Sequence, residues 1–173
     1  MKRRATTGQM SPGDVLVRAY RAASRGRYAE AGRLAVPSLR ESFIDNARLM
    51  RNARKELAAQ IANGVSPAIR GRLVDTLAML RQFEDPNYCW KQTARCGSLK
   101  SVAIARQTIR GKESRVTLRL TLEDGSVVTE TESLVLTPAG WRIGEITALQ
   151  NNGLQPTKAA RCAPSPSAHG GSR

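Results

Sequence analysis

An α+β fold follows from three observations. Apolar residues recur at helical spacing up to about residue 98. From Arg115 to Thr147 they alternate in the manner of strands. Two turn signals, Asp124-Gly125 and Pro138-Ala139-Gly140, divide that second half. Helices followed by an antiparallel meander predict N-terminal helices packed in the concave side of a curved antiparallel sheet of about four strands. The chain of 173 residues has room for one domain with tails. Residues 1–10 read as a basic flexible lead, 11–148 as the single domain, and 149–173, rich in Pro, Ser and Gly, as a disordered tail.

The first helix opens at Ser11-Pro12-Gly13-Asp14. Ser11 can cap free amides, Pro12 suits the first helical position, and Asp14 meets the positive end of the helix dipole. Leu16, Tyr20 and Ala23 share one face. Gly26 ends this helix. A second short helix spans Tyr28 to Ala35 and is stopped by Pro37. Ser38 caps a longer one reaching Ala62, with Phe43, Ala47, Met50, Leu57 and Ile61 as its apolar stripe; Asn63-Gly64 closes it. Ser66-Pro67 starts the next. Ile69, Leu73, Val74, Leu77, Leu80 and Phe83 form its buried face, and Pro86-Asn87 ends it.

The first strand covers Leu99 to Ile104 or a little beyond. In the next, Val116, Leu118, Leu120 and Leu122 point inward, while Arg115, Thr117, Arg119, Thr121 and Glu123 point outward. A two-residue Asp124-Gly125 hairpin sets Leu122 opposite Val127 and Arg119 opposite Glu130, a favourable cross-strand pair. That register puts Val127, Thr129, Thr131, Ser133 and Val135 inside, so an apolar row lies beside a hydroxyl row. A slip by one residue would place Leu118 opposite Glu130. A three-residue turn at 138–140 then brings Trp141, Ile143 and Glu145 to the inner face. A four-residue turn would instead oppose Glu145 and Glu132.

The charge balance is 28 basic against 14 acidic residues, a net +14. It favours a polyanion, an anionic membrane surface or an acidic partner. Arg outnumbers Lys 22 to 6, which a GC-rich genome would also produce. Arg48, Arg51, Arg54 and Lys55 form a basic patch along one helix; near-neighbour pairs with Glu41, Asp45 and Glu56 would make it an ordinary solvated face. No aromatic-rich nucleic-acid motif accompanies it. Three cysteines are present. Cys89 and Cys96 would form a disulfide across the helix-to-sheet connection in an exported protein, leaving Cys162 over; in the cytosol all would be thiols. With His169 as the single histidine and no CxxC pair, no metal site is expected, and no cofactor motif occurs. No apolar run approaches a membrane span of about 18 residues. Met1-Lys2-Arg3-Arg4 has the charge of a signal peptide start without its apolar stretch, so the chain is either cytoplasmic or separated here from its export signal.

Two segments carry a family resemblance. One is Ser11-Pro12 leading into Val15-Leu16-Val17-Arg18-Ala19-Tyr20-Arg21-Ala22, then Gly26-Arg27-Tyr28-Ala29-Glu30-Ala31. The other comprises Ser98-Leu99-Lys100-Ser101-Val102, Glu113-Ser114-Arg115-Val116-Thr117-Leu118, Asp124-Gly125 and a closing Gly140-Trp141-Arg142-Ile143. Together they resemble the cone-shaped, cystatin-like α+β superfamily of nuclear transport factor two and ketosteroid isomerase, and within it small bacterial exported domains of unknown function. The resemblance runs from about Ser11 to Thr147. It implies a curved sheet around helices with a cavity at the wide end, and it makes a homodimer through the sheet an expectation. Enzymes of that fold set Asp, His and Tyr in the cavity. This chain departs from them, with no His in the domain and Glu145 as the one inner-face acid.

On these grounds the chain reads as a non-enzymatic binding or assembly domain of the cell envelope, holding a small apolar ligand or a protein partner. Its expected pocket is lined by Tyr20, Val116, Leu118, Leu120, Thr129, Thr131, Ser133, Trp141 and Ile143. A basic nucleic-acid-associated protein is the alternative. A small-molecule isomerase or lyase would have to use Glu145 as its base, with Tyr20 or Tyr88 as donor.

Overall fold

A computed structural model describes residues 9–146; the lead before Gln9, the tail after Ile146, Cys162 and His169 lie outside the described residues. Five helices precede a four-stranded antiparallel sheet of order β1-β2-β3-β4, so the α+β class is as the sequence predicts. The helices are α1 (Pro12–Ser24), α2 (Tyr28–Arg33), α3 (Pro37–Ala62), α4 (Pro67–Phe83) and α5 (Tyr88–Thr93); the strands are β1 (Leu99–Arg110), β2 (Glu113–Leu122), β3 (Val127–Thr137) and β4 (Gly140–Glu145).

Helix α1 begins as its sequence dictates. The Ser11 hydroxyl oxygen accepts from the Asp14 amide at 3.1 Å, and Pro12 occupies the first turn, where its missing N–H costs nothing. Its buried face, Val15, Leu16, Ala19, Tyr20 and Ala23, packs with Val116, Leu118 and Leu120 of β2, Leu134 of β3 and Ile143 of β4 into the core. Gly13 lies so close to the side chains of Ile104 and Gln107 that a side chain there would have to push them aside. Its amide donates to Gln107 Oε1 at 2.8 Å, fixing the start of α1 on that strand.

The other helices depart from expectation in detail. Pro37 starts α3 rather than merely stopping α2, and the capping position is Val36, not Ser38. Proline's fixed φ suits a first turn, and the extended Val36 leads into it. Helix α3 buries only Phe43 and Ala47. Helix α4 buries nothing completely: Ile69 and Val74 are half exposed, and Leu73, Leu77, Leu80 and Phe83 are part-covered. The reason is that α4 packs extensively on α3 alone, and the pair stands beside the core. Helix α5, one short turn-and-a-half inside the connection, has no counterpart in the sequence periodicity. It buries Cys89, Trp90, Gln92 and Thr93, and Trp90 meets Phe43 edge to face at 5.8 Å.

The β2–β3 connection overturns the expected register. Gly125 N donates to Leu122 O at 3.0 Å and Leu122 N to Ser126 O at 2.9 Å, so Glu123, Asp124 and Gly125 form a three-residue loop. Gly125 takes φ +83°, the left-handed position that completes a type I turn with a G1 bulge. Asp124 Oδ1 accepts from both the amide and the hydroxyl of Ser126. One more loop residue shifts every pair by one. Leu118 opposes Glu130, Arg119 opposes Thr129, and Leu120 opposes Val128. The inner face of β3 is therefore Val128, Glu130, Glu132, Leu134 and Leu136; Val127, Thr129, Thr131, Ser133 and Val135 face outward.

The β3–β4 turn is shorter than expected. Thr137 pairs with Gly140 across Pro138-Ala139, and Trp141 opposes Leu136. Trp141 and Ile143 still face inward, because the changed turn and the reversed β3 face compensate. A bulge then intervenes: Ile143 opposes Leu134, but Glu145 opposes Ser133. The extra residue, Gly144, turns Glu145 outward and Ile146 inward. Strand β4 is covered along its outer edge by residues 34–36, where Val36 N donates to Ile143 O and Ile143 N to Leu34 O.

Candidate functional site

The corrected register brings two acids into the core. Glu130 is 9% exposed and Glu132 not at all. Both face the hydroxyl of Tyr20, itself fully buried on α1. The Tyr20 hydroxyl lies 2.8 Å from Glu130 Oε2 and 3.0 Å from Glu132 Oε1. Burial first, then the charges of Glu132 and Glu130, raise the Tyr20 pKa well above the ordinary 10.0, so this hydroxyl is a proton donor at every physiological pH.

Arg95 completes the cluster. Its guanidinium donates to Glu130 Oε1, a charge-assisted bond to a nearly buried carboxylate. Arg95, Cys96 and Gly97 adopt φ of 50°, 54° and 91°, a left-handed turn that leads from α5 into β1. Two of these are side-chain-bearing residues, each unfavourable by about 1–2 kcal/mol in this region. Arg95 Nε is buried without a hydrogen-bond partner among the described residues. Backbone strain and an unmet donor thus accompany the arginine that faces Glu130.

Among the expected pocket residues, Tyr20, Val116, Leu118, Leu120, Trp141 and Ile143 do converge, but as close-packed core. Thr129, Thr131 and Ser133 do not join them. They lie on the opposite face, where Thr131 shares a 2.8 Å hydroxyl contact with Thr117. Glu145 is exposed, so the isomerase reading loses its inner-face base. The expectation of one inward acid is replaced by two others. The legible signal was Leu134 and Leu136, which lie in phase with Glu130 and Glu132; nothing in the sequence announced Tyr20 and Arg95 as their partners.

The basic patch on α3 is not one surface. Arg54 turns toward α4 and pairs with Glu84, Arg48 pairs with Asp45 at 2.8 Å, and Arg51 and Lys55 remain exposed. The cysteine pair is corrected as well. Cys89 is a free thiol facing the core, and burial pushes its pKa up to about 12, which keeps it protonated and inert at neutral pH. Cys96, exposed on the following turn, is disulfide-bonded, and Cys89 is not its partner. Among the described residues no group of three His, Cys, Asp or Glu side chains is placed to hold a metal ion, and no helix is long and apolar enough to cross a membrane.

A cleft of about 460 Å³ opens away from the acid cluster, between the start of α1 and the β3–β4 turn. Met10, Val15, Leu34 and Trp141 supply apolar lining, and Gln9 and Arg142 polar groups.

No family model matches the chain, and no curated protein matches it. Among solved structures it is similar to a Campylobacter jejuni protein provisionally named an NTF2-like transpeptidase. The identity is 11%, the TM-score is 0.44, and the match covers 79% of this chain and 99% of that one. The described residues carry the architecture that the resemblance to the nuclear transport factor two superfamily implies: helices packed on one face of an open antiparallel sheet.

Proposed function

We propose that the chain is a non-enzymatic binding domain that takes an apolar group of a ligand or protein partner in the cleft beside α1. The carrying observation is the cleft itself: its volume of about 460 Å³ falls in the usual range for ligand sites, and Met10, Leu34 and Trp141 give it an apolar side next to the polar Gln9 and Arg142. The acid cluster supports the same reading. Tyr20 and Glu132 have no exposed surface, and the acids already face Tyr20 and, for Glu130, Arg95, so a substrate has no space beside them.

The test is titration with anilinonaphthalene sulfonate, an apolar dye that fluoresces when it leaves water. Dye fluorescence should rise and Trp141 emission should change with it. Ala139→Trp, at an exposed turn position on the cleft wall, should abolish the response with the fold intact by circular dichroism. A response that survives Ala139→Trp would sink the proposal.

A second reading is favoured by one arrangement, Tyr20 between two carboxylates, which is the geometry of an acid–base site. It requires the interior to open to a substrate. Soaking with apolar ketones and following Tyr20 by NMR tests it: a Tyr20 resonance that ignores every ketone would remove this reading, and a shift lost in Glu130→Gln would promote it above the first.

A further inference from the structure

The outer face of the sheet is unlike the inner one. Residues opposite one another across the antiparallel ladders share a face. Arg110 opposes Glu113, Thr108 opposes Arg115, Arg106 opposes Thr117, and Ala103 opposes Arg119. On the far side of β2, Ser133 opposes Arg115, Thr131 opposes Thr117 and Thr129 opposes Arg119. Arg106, Arg115 and Arg119 therefore surround Thr117. All three are exposed, and among the described residues none of these guanidinium groups has an ion-pair or hydrogen-bond partner. Arg115 and Arg119 stand about 13 Å apart along the strand, and Arg106 lies one strand away, about 5 Å to the side. Hydroxyls fill the positions between them. Of the face's acids, Glu113 opposes Arg110 and Glu145 lies on the rung of Arg115, two strands away beyond Ser133.

We infer that this face docks the phosphate backbone of nucleic acid, independently of sequence. Unpaired arginines interspersed with hydroxyl donors suit phosphate oxygens, which accept from both. The face carries no aromatic residue, so it offers no stacking platform and no means of reading bases. A protein partner fits poorly, because such interfaces centre on buried aromatic or large apolar anchors, and the centre here is Thr117 flanked by Thr131. A second copy across a two-fold axis would set arginines against arginines. The surface is distinct from both the cleft and the α3 patch, where Arg48 and Arg54 are already paired.

The test uses the full chain and a labelled short single-stranded DNA of mixed sequence, with binding followed by fluorescence anisotropy across a salt series. The triple variant Arg106→Gln, Arg115→Gln, Arg119→Gln should bind at least about tenfold more weakly. Its slope of log affinity against log salt should be shallower by about 2, since each phosphate contact on a single strand contributes about 0.7. A charge-matched variant, Arg48→Gln, Arg51→Gln, Lys55→Gln, should stay within about twofold of the parent. Equal weakening by both triples would reduce the effect to diffuse net charge and overturn the assignment. Unaltered affinity in the sheet variant would overturn it too. So would parent protein that sediments with phosphatidylglycerol vesicles yet leaves the DNA unbound, because the surface would then be a lipid-facing one. Circular dichroism of each variant controls for folding.

Discussion

Tyr20 has one hydroxyl proton and two carboxylate neighbours, at 2.8 and 3.0 Å. Removing the hydroxyl leaves both acids enclosed with one donor fewer. A buried polar group stripped of its partner costs about 1–3 kcal/mol, and more when charged. Tyr20→Phe should therefore lower the urea midpoint by the equivalent of at least about 1 kcal/mol with an unchanged m-value. The same residue sets a pH dependence. Its folded pKa is raised above the unfolded value, so above pH 10 the unfolded chain loses this proton first. The stability it contributes is complete below that pH and is lost as pH rises toward the folded pKa. Urea unfolding from pH 8 to pH 11 should show the decline, and Tyr20→Phe should flatten it. A decline of equal steepness in the variant would assign it to other groups, Tyr88 among them, whose pKa burial also raises.

One loop residue decides what the sheet presents. The alternation of β2 and β3 is plain in the sequence, and so is the presence of a turn at Asp124-Gly125. The turn's length is not, because Asp-Gly serves both a two-residue hairpin and the last two places of a three-residue one. Judged by cross-strand charge pairs, Arg119 facing Glu130 looks the better register. Burial decides otherwise. The adopted register covers Leu134 completely and Leu136 in part, and each large apolar side chain fully buried is worth about 1.5–3 kcal/mol, against roughly 0.2–1 kcal/mol for a surface pair. The cost of two buried acids is met by Tyr20 and Arg95, residues distant in sequence and so invisible to local pattern. The helices show the same limit. The stripe on α4 is legible, yet its depth of burial depends on what lies opposite, which is mainly α3, with Tyr88 of α5 at its end. With no fully buried residue, α4 should open locally before the core does. In native-state hydrogen exchange its amides should lose protection at lower urea than those of β2 and β3. Equal protection in both would mean that α4 and the sheet unfold as one unit.

Over the whole molecule, an apolar interior holding two acids sits within a strongly basic chain. Fold class, helix count before α5, strand order and the inward Trp141 and Ile143 were legible because they rest on periodicity and turn residues. The outward Arg115 and Arg119 were legible from the alternation of β2, but the acid cluster and the hydroxyls that join those arginines were not, because both depend on register. Net charge was visible from composition alone, and it has an energetic consequence. At +14 the folded chain repels itself, and a compact state suffers more than an expanded one. Among the described residues six cations are held in ion pairs, namely Arg18, Arg27, Arg48, Arg54, Lys91 and Arg95. Most of these pairs are partly exposed, where each is worth about 0–1 kcal/mol. Screening weakens attraction and repulsion alike, but the uncompensated cations outnumber the pairs. The Debye length shortens from about 30 Å at 0.01 M to about 10 Å at 0.1 M salt, which removes long-range repulsion while leaving the Arg95–Glu130 contact, with its nearly buried acid, largely intact. The melting temperature should therefore rise with sodium chloride over that range. A melting temperature that falls instead would show that attractive pairs govern the electrostatics of the fold and that the arginines of the outer face are less exposed to one another than their spacing indicates.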